Sequence, residues 1–181
     1  PLRDDVMSIR NVWSLEPGEC ITAEKILEEV KDCNIYFPLR DVGVDLMVVR
    51  GNRHIGIQIK ESRYFTSRML RGTRGHSWHQ IDKRKFECYK KNVDFFVFLT
   101  YILQFGEYKV SSFEYKFLIV PTSELQEQVR NKNPGRRGKY SFYFYFEGSK
   151  VLDVREKIDG AYLMDYSKYL NAWHLIDEAL K

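Results

Sequence analysis

Arg40-Asp-Val-Gly-Val-Asp-Leu-Met-Val-Val-Arg50, then Gly51-Asn-Arg53, then His54-Ile-Gly-Ile-Gln-Ile-Lys60, is the stretch whose reading decides the fold. Residues 42–50 and 54–60 are strand-like runs, and the small polar link between them predicts a β-hairpin. Side chains of a strand alternate between faces. Ile55, Ile57 and Ile59 therefore share one face, and His54, Gly56, Gln58 and Lys60 the other. Gln58 and Lys60 leave the strand side by side. Pairing around residues 51–53 brings Asp45 within a few residues' reach of Gln58. A carboxylate, an amide and an ammonium then meet on one patch of sheet.

Outward from the hairpin, Thr22-Ala-Glu-Lys-Ile-Leu-Glu-Glu-Val-Lys31 reads as a helix over 22–32 capped by Thr22, with Ala23, Ile26, Leu27 and Val30 at helical spacing. Residues 34–38 form at most an edge strand, because Pro38 interrupts them. The Arg-rich stretch 62–76 has no clear period and reads as a loop or lid. A helix is expected over 78–91, and a central strand, apolar on both faces, over 93–103. A further strand over 113–120, a short helix over 124–130, a strand pair (139–146 with 150–154) and a final amphipathic helix over 165–180 complete the pattern. In Phe142-Tyr-Phe-Tyr-Phe146 burial of the strand is favoured over base stacking. The order predicts one α/β domain over 1–181, an α+β mixed sheet flanked by helices, with its core at about 20–121 and the C-terminal strands and helix at 122–181. It alternates too irregularly for a Rossmann fold or a barrel.

Composition narrows the function classes. The 181 residues are 44% hydrophobic and 15% aromatic, which argues against disorder. No apolar run approaches the ~20 residues of a membrane span, and the first ten residues do not read as a signal peptide. Cys20, Cys33 and Cys88 form no CxxC pair, so a reduced, cytoplasmic protein is expected. Net charge is only +4, but it is segregated. No acidic residue occurs from Ser62 to Ile81, where Arg63, Arg68, Arg71 and Arg74 fall; Arg130, Lys132, Arg136, Arg137 and Lys139 form a second basic group. Such segregation suits a polyanionic partner. His76 and His79 lack a nearby third ligand for a zinc site. Residues 135–140 lack the length and the Ser/Thr of a P-loop.

The hairpin trio suits phosphodiester hydrolysis. Mg²⁺ takes hard oxygen ligands, one or two carboxylates with water and substrate phosphate. Asp45 supplies a carboxylate, Gln58 an amide oxygen and Ile59 a backbone carbonyl, while Lys60 can orient or deprotonate water or neutralise charge on phosphorus.

Asp45 followed by Gln58-Ile-Lys60 at the end of a hairpin resembles the PD-(D/E)XK nuclease superfamily, which includes restriction endonucleases, Holliday-junction resolvases and RecB-like nuclease domains. Gly43-Val-Asp-Leu46 is similar to the wording around the Asp in that group, and the resemblance covers roughly residues 20–103. It implies a restriction-endonuclease-like core and a Mg²⁺-dependent DNA endonuclease, with Mn²⁺ able to substitute and a homodimer as the working form. By the same resemblance Glu24 on the preceding helix joins the metal site, with Glu28 as second choice, and Gln80 faces a phosphate. Val44 stands where the family has Pro, and Gln58 replaces its usual Asp or Glu. The second departure removes a negative charge and implies weaker Mg²⁺ binding. The alternative is a non-catalytic nucleic-acid-binding module that retains the fold.

Overall fold

The computed structural model describes residues 15–40, 43–66, 75–105, 110–130, 132–158 and 161–181. Helix α1 spans Pro17–Glu29, with Pro17 in its first turn and Glu16 as N-cap. Proline is favoured there because its missing N–H would have no helical partner anyway. Thr22 is thus not the cap but a buried residue of the second turn. The helix buries Gly18, Glu19, Thr22, Ala23 and Ile26.

The hairpin forms as its alternation dictates. β2 (Leu46–Arg50) pairs with β3 (Arg53–Phe65) antiparallel, in register from Leu46 opposite Ile57 to Arg50 opposite Arg53. β1 (Asn34–Tyr36) adds the expected edge strand beside β2. On its other side β3 runs parallel to β6 (Phe95–Phe105), which pairs antiparallel with β7 (Val110–Pro121). The sheet order is β1-β2-β3-β6-β7, and β4 (His76–Ser77) pairs with the far end of β3. β6 is central and apolar on both faces, as expected.

Each face of this mixed sheet carries a core. Phe95, Val97 and Leu99 join Ile55, Ile57 and Ile59 beneath α1 and the C-terminal helix, α4 (His174–Ala179). Phe96 and Phe98 point the opposite way, toward Phe86, Leu125, Phe142, Phe144 and Tyr166. Burying each of these side chains contributes about 1.5–3 kcal/mol, more than any single neutral hydrogen bond, so β6 organises both layers.

The second layer departs from the expected elements in three places. Residues 78–91 are not one helix: β5 (His79–Asp82) comes first and pairs with β8 (Lys139–Phe142), and α2 (Lys83–Tyr89) follows. Asp82 ends the strand and caps the helix, its carboxylate accepting from the Lys85 N–H at 3.0 Å. The strand expected over 139–146 breaks at Tyr143, after which β9 (Phe144–Glu147) pairs with β10 (Lys150–Ile158) across Gly148-Ser149. β10 continues into a pair with β11 (Ala161–Asp165). The final helix expected over 165–180 is therefore only a 3₁₀ turn at Ser167–Tyr169 followed by α4. Asn171 breaks it, with φ 50° and its N–H donated to Phe117 O on β7. The short helix after β7, α3, spans Thr122–Arg130. Phe142 and Phe144 are fully buried, so burial explains the Phe side of that aromatic run.

Candidate active site

Asp45 lies one residue before β2, where the chain has come free of the ladder. Its N–H still donates to Ile57 O at 2.8 Å. Its carboxylate replaces the missing rung: Oδ2 accepts the Ile59 N–H at 2.7 Å and the Gln58 side-chain amide at 2.9 Å. In an extended strand the N–H and C=O of one residue leave toward the same neighbour. The Ile59 carbonyl therefore opens on the side of Asp45. Asp45, Gln58 and Lys60 are all half-buried, at the margin between core and water.

Two glycines hold this corner. Gly43 has φ +82°, and a Cβ there would lie 2.4 Å from Tyr89 Cβ, so the approach to Asp45 is pressed onto α2. Gly56, two residues before Gln58, leaves room for the Asn92 carbonyl, which a Cβ would meet at 2.4 Å. Gly56 also receives Asp94 on both backbone groups: its N–H donates to Oδ2 at 2.7 Å and its carbonyl accepts the Asp94 N–H at 2.8 Å.

Behind Lys60 stands a buried histidine. His79 Nδ1 is 2.9 Å from Lys60 O and Nε2 is 3.1 Å from Thr100 Oγ1. A carbonyl only accepts, so Nδ1 carries the proton and Nε2 takes the Thr100 hydroxyl. Burial against Phe98 and Phe144 lowers the pKa of His79 to about 3, while the Lys60 carbonyl opposes the shift. His79 is thus a neutral strut that fixes the Lys60 backbone, not a metal ligand.

The remaining expected site residues scatter. Glu24 is exposed on the outer side of α1, and Glu28 is exposed and paired with Lys25 at 3.0 Å. The carboxylate on the inner face is Glu19, only 4% exposed. Its position follows from the earlier helix start, since Glu19, Ala23, Ile26 and Val30 are spaced at four, seven and eleven residues. Gln80 lies on β5 rather than on a helix, and its amide donates to Ser141 Oγ at 3.2 Å. Arg63 is exposed, its guanidinium 4.7 Å above the Phe65 ring. Arg136 and Arg137 are exposed in the turn before β8. Lys132 of the same basic group is instead buried, paired with Asp153 at 2.5 Å and 4.8 Å from the centre of the Phe142 ring. Arg68, Arg71 and Arg74 lie outside the described residues. Among the described residues no three His, Cys, Asp or Glu side chains group closely enough to hold a metal ion, and no helix is long and apolar enough to cross a membrane.

A mixed α/β architecture is what the chain displays, with the Asp45 carboxylate bound by the Gln58 amide and the Ile59 N–H and with Lys60 two residues further along β3. No family model matches the sequence, and no curated protein matches it. Among solved structures the chain is similar to a bacterial homing endonuclease, at 14% identity over 89% of this chain and 85% of that one, with a TM-score of 0.46.

Proposed function

We propose that this protein is a Mg²⁺-dependent DNA endonuclease of the PD-(D/E)XK type, with Asp45, Gln58 and Lys60 as its working residues. The observation that carries the reading is the shared Asp45 oxygen, bound by Gln58 and by the Ile59 N–H where β2 leaves β3. The donor set fits a hard divalent cation. Asp45 would hold it with one carboxylate and Gln58 with Oε1 once the amide turns over, and the Ile59 carbonyl faces the same side. When bound, the ion polarises the scissile phosphate and acidifies a water. Asp45 anchors and orients, and Gln58 adds an oxygen without charge. Lys60, two residues along the same face, positions the attacking water or meets charge developing on phosphorus. Glu24, exposed on the outer side of α1, is not part of this reading. Cutting both strands calls for two such sites, hence a homodimer on DNA.

The test is cleavage of supercoiled plasmid and of branched DNA with Mg²⁺ or Mn²⁺ against EDTA. Asp45→Asn and Lys60→Ala are each expected to slow cleavage by about 100-fold or more, the scale of lost general acid–base or electrostatic catalysis. Asp45→Asn cutting at the wild-type rate overturns the assignment. One observation favours the second reading, a non-cleaving DNA-binding module: Gln58 turns its N–H, not its oxygen, toward Asp45 Oδ2. That reading is upheld by salt-sensitive DNA binding with no cleavage in either metal.

A further inference from the structure

Beyond Lys60 the sheet presents an aromatic ledge that the cleavage chemistry leaves unused. Ser77 and His79 point inward and are buried, so strand alternation holds Trp78 between them facing out, 49% exposed. Its backbone N–H donates to Ser62 Oγ at 3.1 Å, two residues past Lys60, while the next residue, His79, bonds the Lys60 carbonyl. The Trp78 backbone is therefore anchored to β3 two residues beyond Lys60. Tyr143 backs it edge-on, ring centres 6.1 Å apart, and His76 stacks on Tyr143 at 4.6 Å with 10° between planes. The Arg155 guanidinium lies 5.9 Å from the Tyr143 ring centre. The turn carrying exposed Arg136 and Arg137 begins at Gly135, where a Cβ would stand 3.8 Å from Arg155 Nη2.

A half-exposed indole between two buried neighbours, on a segment with no acidic residue from Ser62 to Ile81, is built for an apolar ligand that carries negative charge. Nucleic acid meets that description, because each base offers a π-face and each phosphate a charge. We propose that Trp78 is a base-stacking platform and that the preferred DNA bears an unstacked or extrahelical base close to the scissile phosphate. This rests on the DNA-endonuclease reading and names its substrate class.

The probe is a duplex with one bulged 2-aminopurine, compared with the fully paired duplex, both titrated in EDTA so that cleavage plays no part. A stacked base contributes enough that the wild type is expected to bind the bulged duplex about 10-fold more tightly than the paired one. The 2-aminopurine emission should be quenched on binding. Trp78→Leu should lose both the preference and the quenching, Trp78→Phe should keep most of each, and both variants should stay folded, melting within a few degrees of the wild type, because half of the side chain is already in water. Equal affinity of Trp78→Leu and wild type for the bulged duplex overturns the platform while leaving the endonuclease reading in place. Failure of the wild type to bind either duplex overturns the platform, while plasmid cleavage with Mg²⁺ decides the endonuclease reading separately.

Discussion

Asp45 Oδ2 accepts from two donors, so removing it has two separable consequences. Asp45→Ala leaves the N–H of buried Ile59 without its acceptor, which costs about 1–3 kcal/mol. Asp45→Asn keeps an oxygen for that N–H and removes only the charge. Urea unfolding should therefore show a lowered midpoint for the Ala variant and a near-wild-type midpoint for the Asn variant, while both lose cleavage. Gln58 gives the complementary case. Gln58→Glu replaces the donated N–H, 2.9 Å from Asp45, by a second carboxylate. Two like charges at that range repel, so in EDTA at neutral pH the variant should melt a few degrees below wild type, as expected for a loss of roughly 1–2 kcal/mol. Mg²⁺ should restore the melting temperature, and the metal concentration at half-maximal cleavage should fall below that of the wild type. Gln58→Ala should lose most of the activity. Melting of Gln58→Glu that ignores Mg²⁺ counts against an ion at this corner. The meeting of Asp45 and Gln58 was legible in the sequence because a period of two and a short turn determine which residues face each other. Glu19 was not, because Thr22 offers a plausible cap that hides the true start at Pro17 and leaves Glu19 outside the expected helix.

At the scale of elements, β5 shows where sequence patterns run out. His79-Gln-Ile-Asp82 is too short to display a period, and helix α2 follows without a break, so the segment reads as one helix until β8 supplies its partner. The C-terminal run fails for the same reason: Tyr169, Leu170, Trp173 and Ile176 have helical spacing, but Asn171 gives its N–H to β7 instead. Long-range pairing overrides local preference in both. β6 and the β2–β3 hairpin were legible since their alternation or continuous apolarity runs for seven residues or more. The β3–β5 junction makes its own prediction through His79. In the folded protein this ring stays neutral until pH falls to about 3, whereas in the unfolded chain it takes a proton near the ordinary value of 6.5. Between those limits the unfolded state binds more protons, so stability drops as pH falls, by up to about 1.4 kcal/mol per unit. Urea unfolding between pH 7 and 5, above the range where most carboxylates titrate, should show this slope. His79→Gln should be less stable at pH 7 but with a flatter dependence. Parallel profiles for the two proteins would show that His79 takes its proton in the fold as readily as in the unfolded chain.

Across the whole molecule the basic residues divide into those free to meet phosphate and those consumed by the fold, a division that charge counting cannot make. Arg63, Arg136 and Arg137 are exposed, while Lys132 is buried against Asp153 beneath the same turn. Each phosphate contact adds about 0.9 to the slope of log affinity against log salt on duplex DNA. The triple variant Arg63→Ala, Arg136→Ala, Arg137→Ala should thus weaken binding on every duplex alike and flatten the slope by about 2.7 if all three touch phosphate. Lys132→Ala should behave in the opposite way. Breaking a buried pair by removing one partner costs about 3–5 kcal/mol, and Asp153, which also accepts the Tyr143 and Arg155 N–H groups, would be left without its cation. Its melting temperature should fall sharply, yet whatever protein remains folded should show the wild-type salt slope. Affinity titrations of both variants from 50 to 200 mM salt, with melting curves alongside, separate the two roles. An unchanged slope in the triple variant would place DNA on another face, and a flattened slope in Lys132→Ala would mean that the ion pair opens to let the lysine reach phosphate.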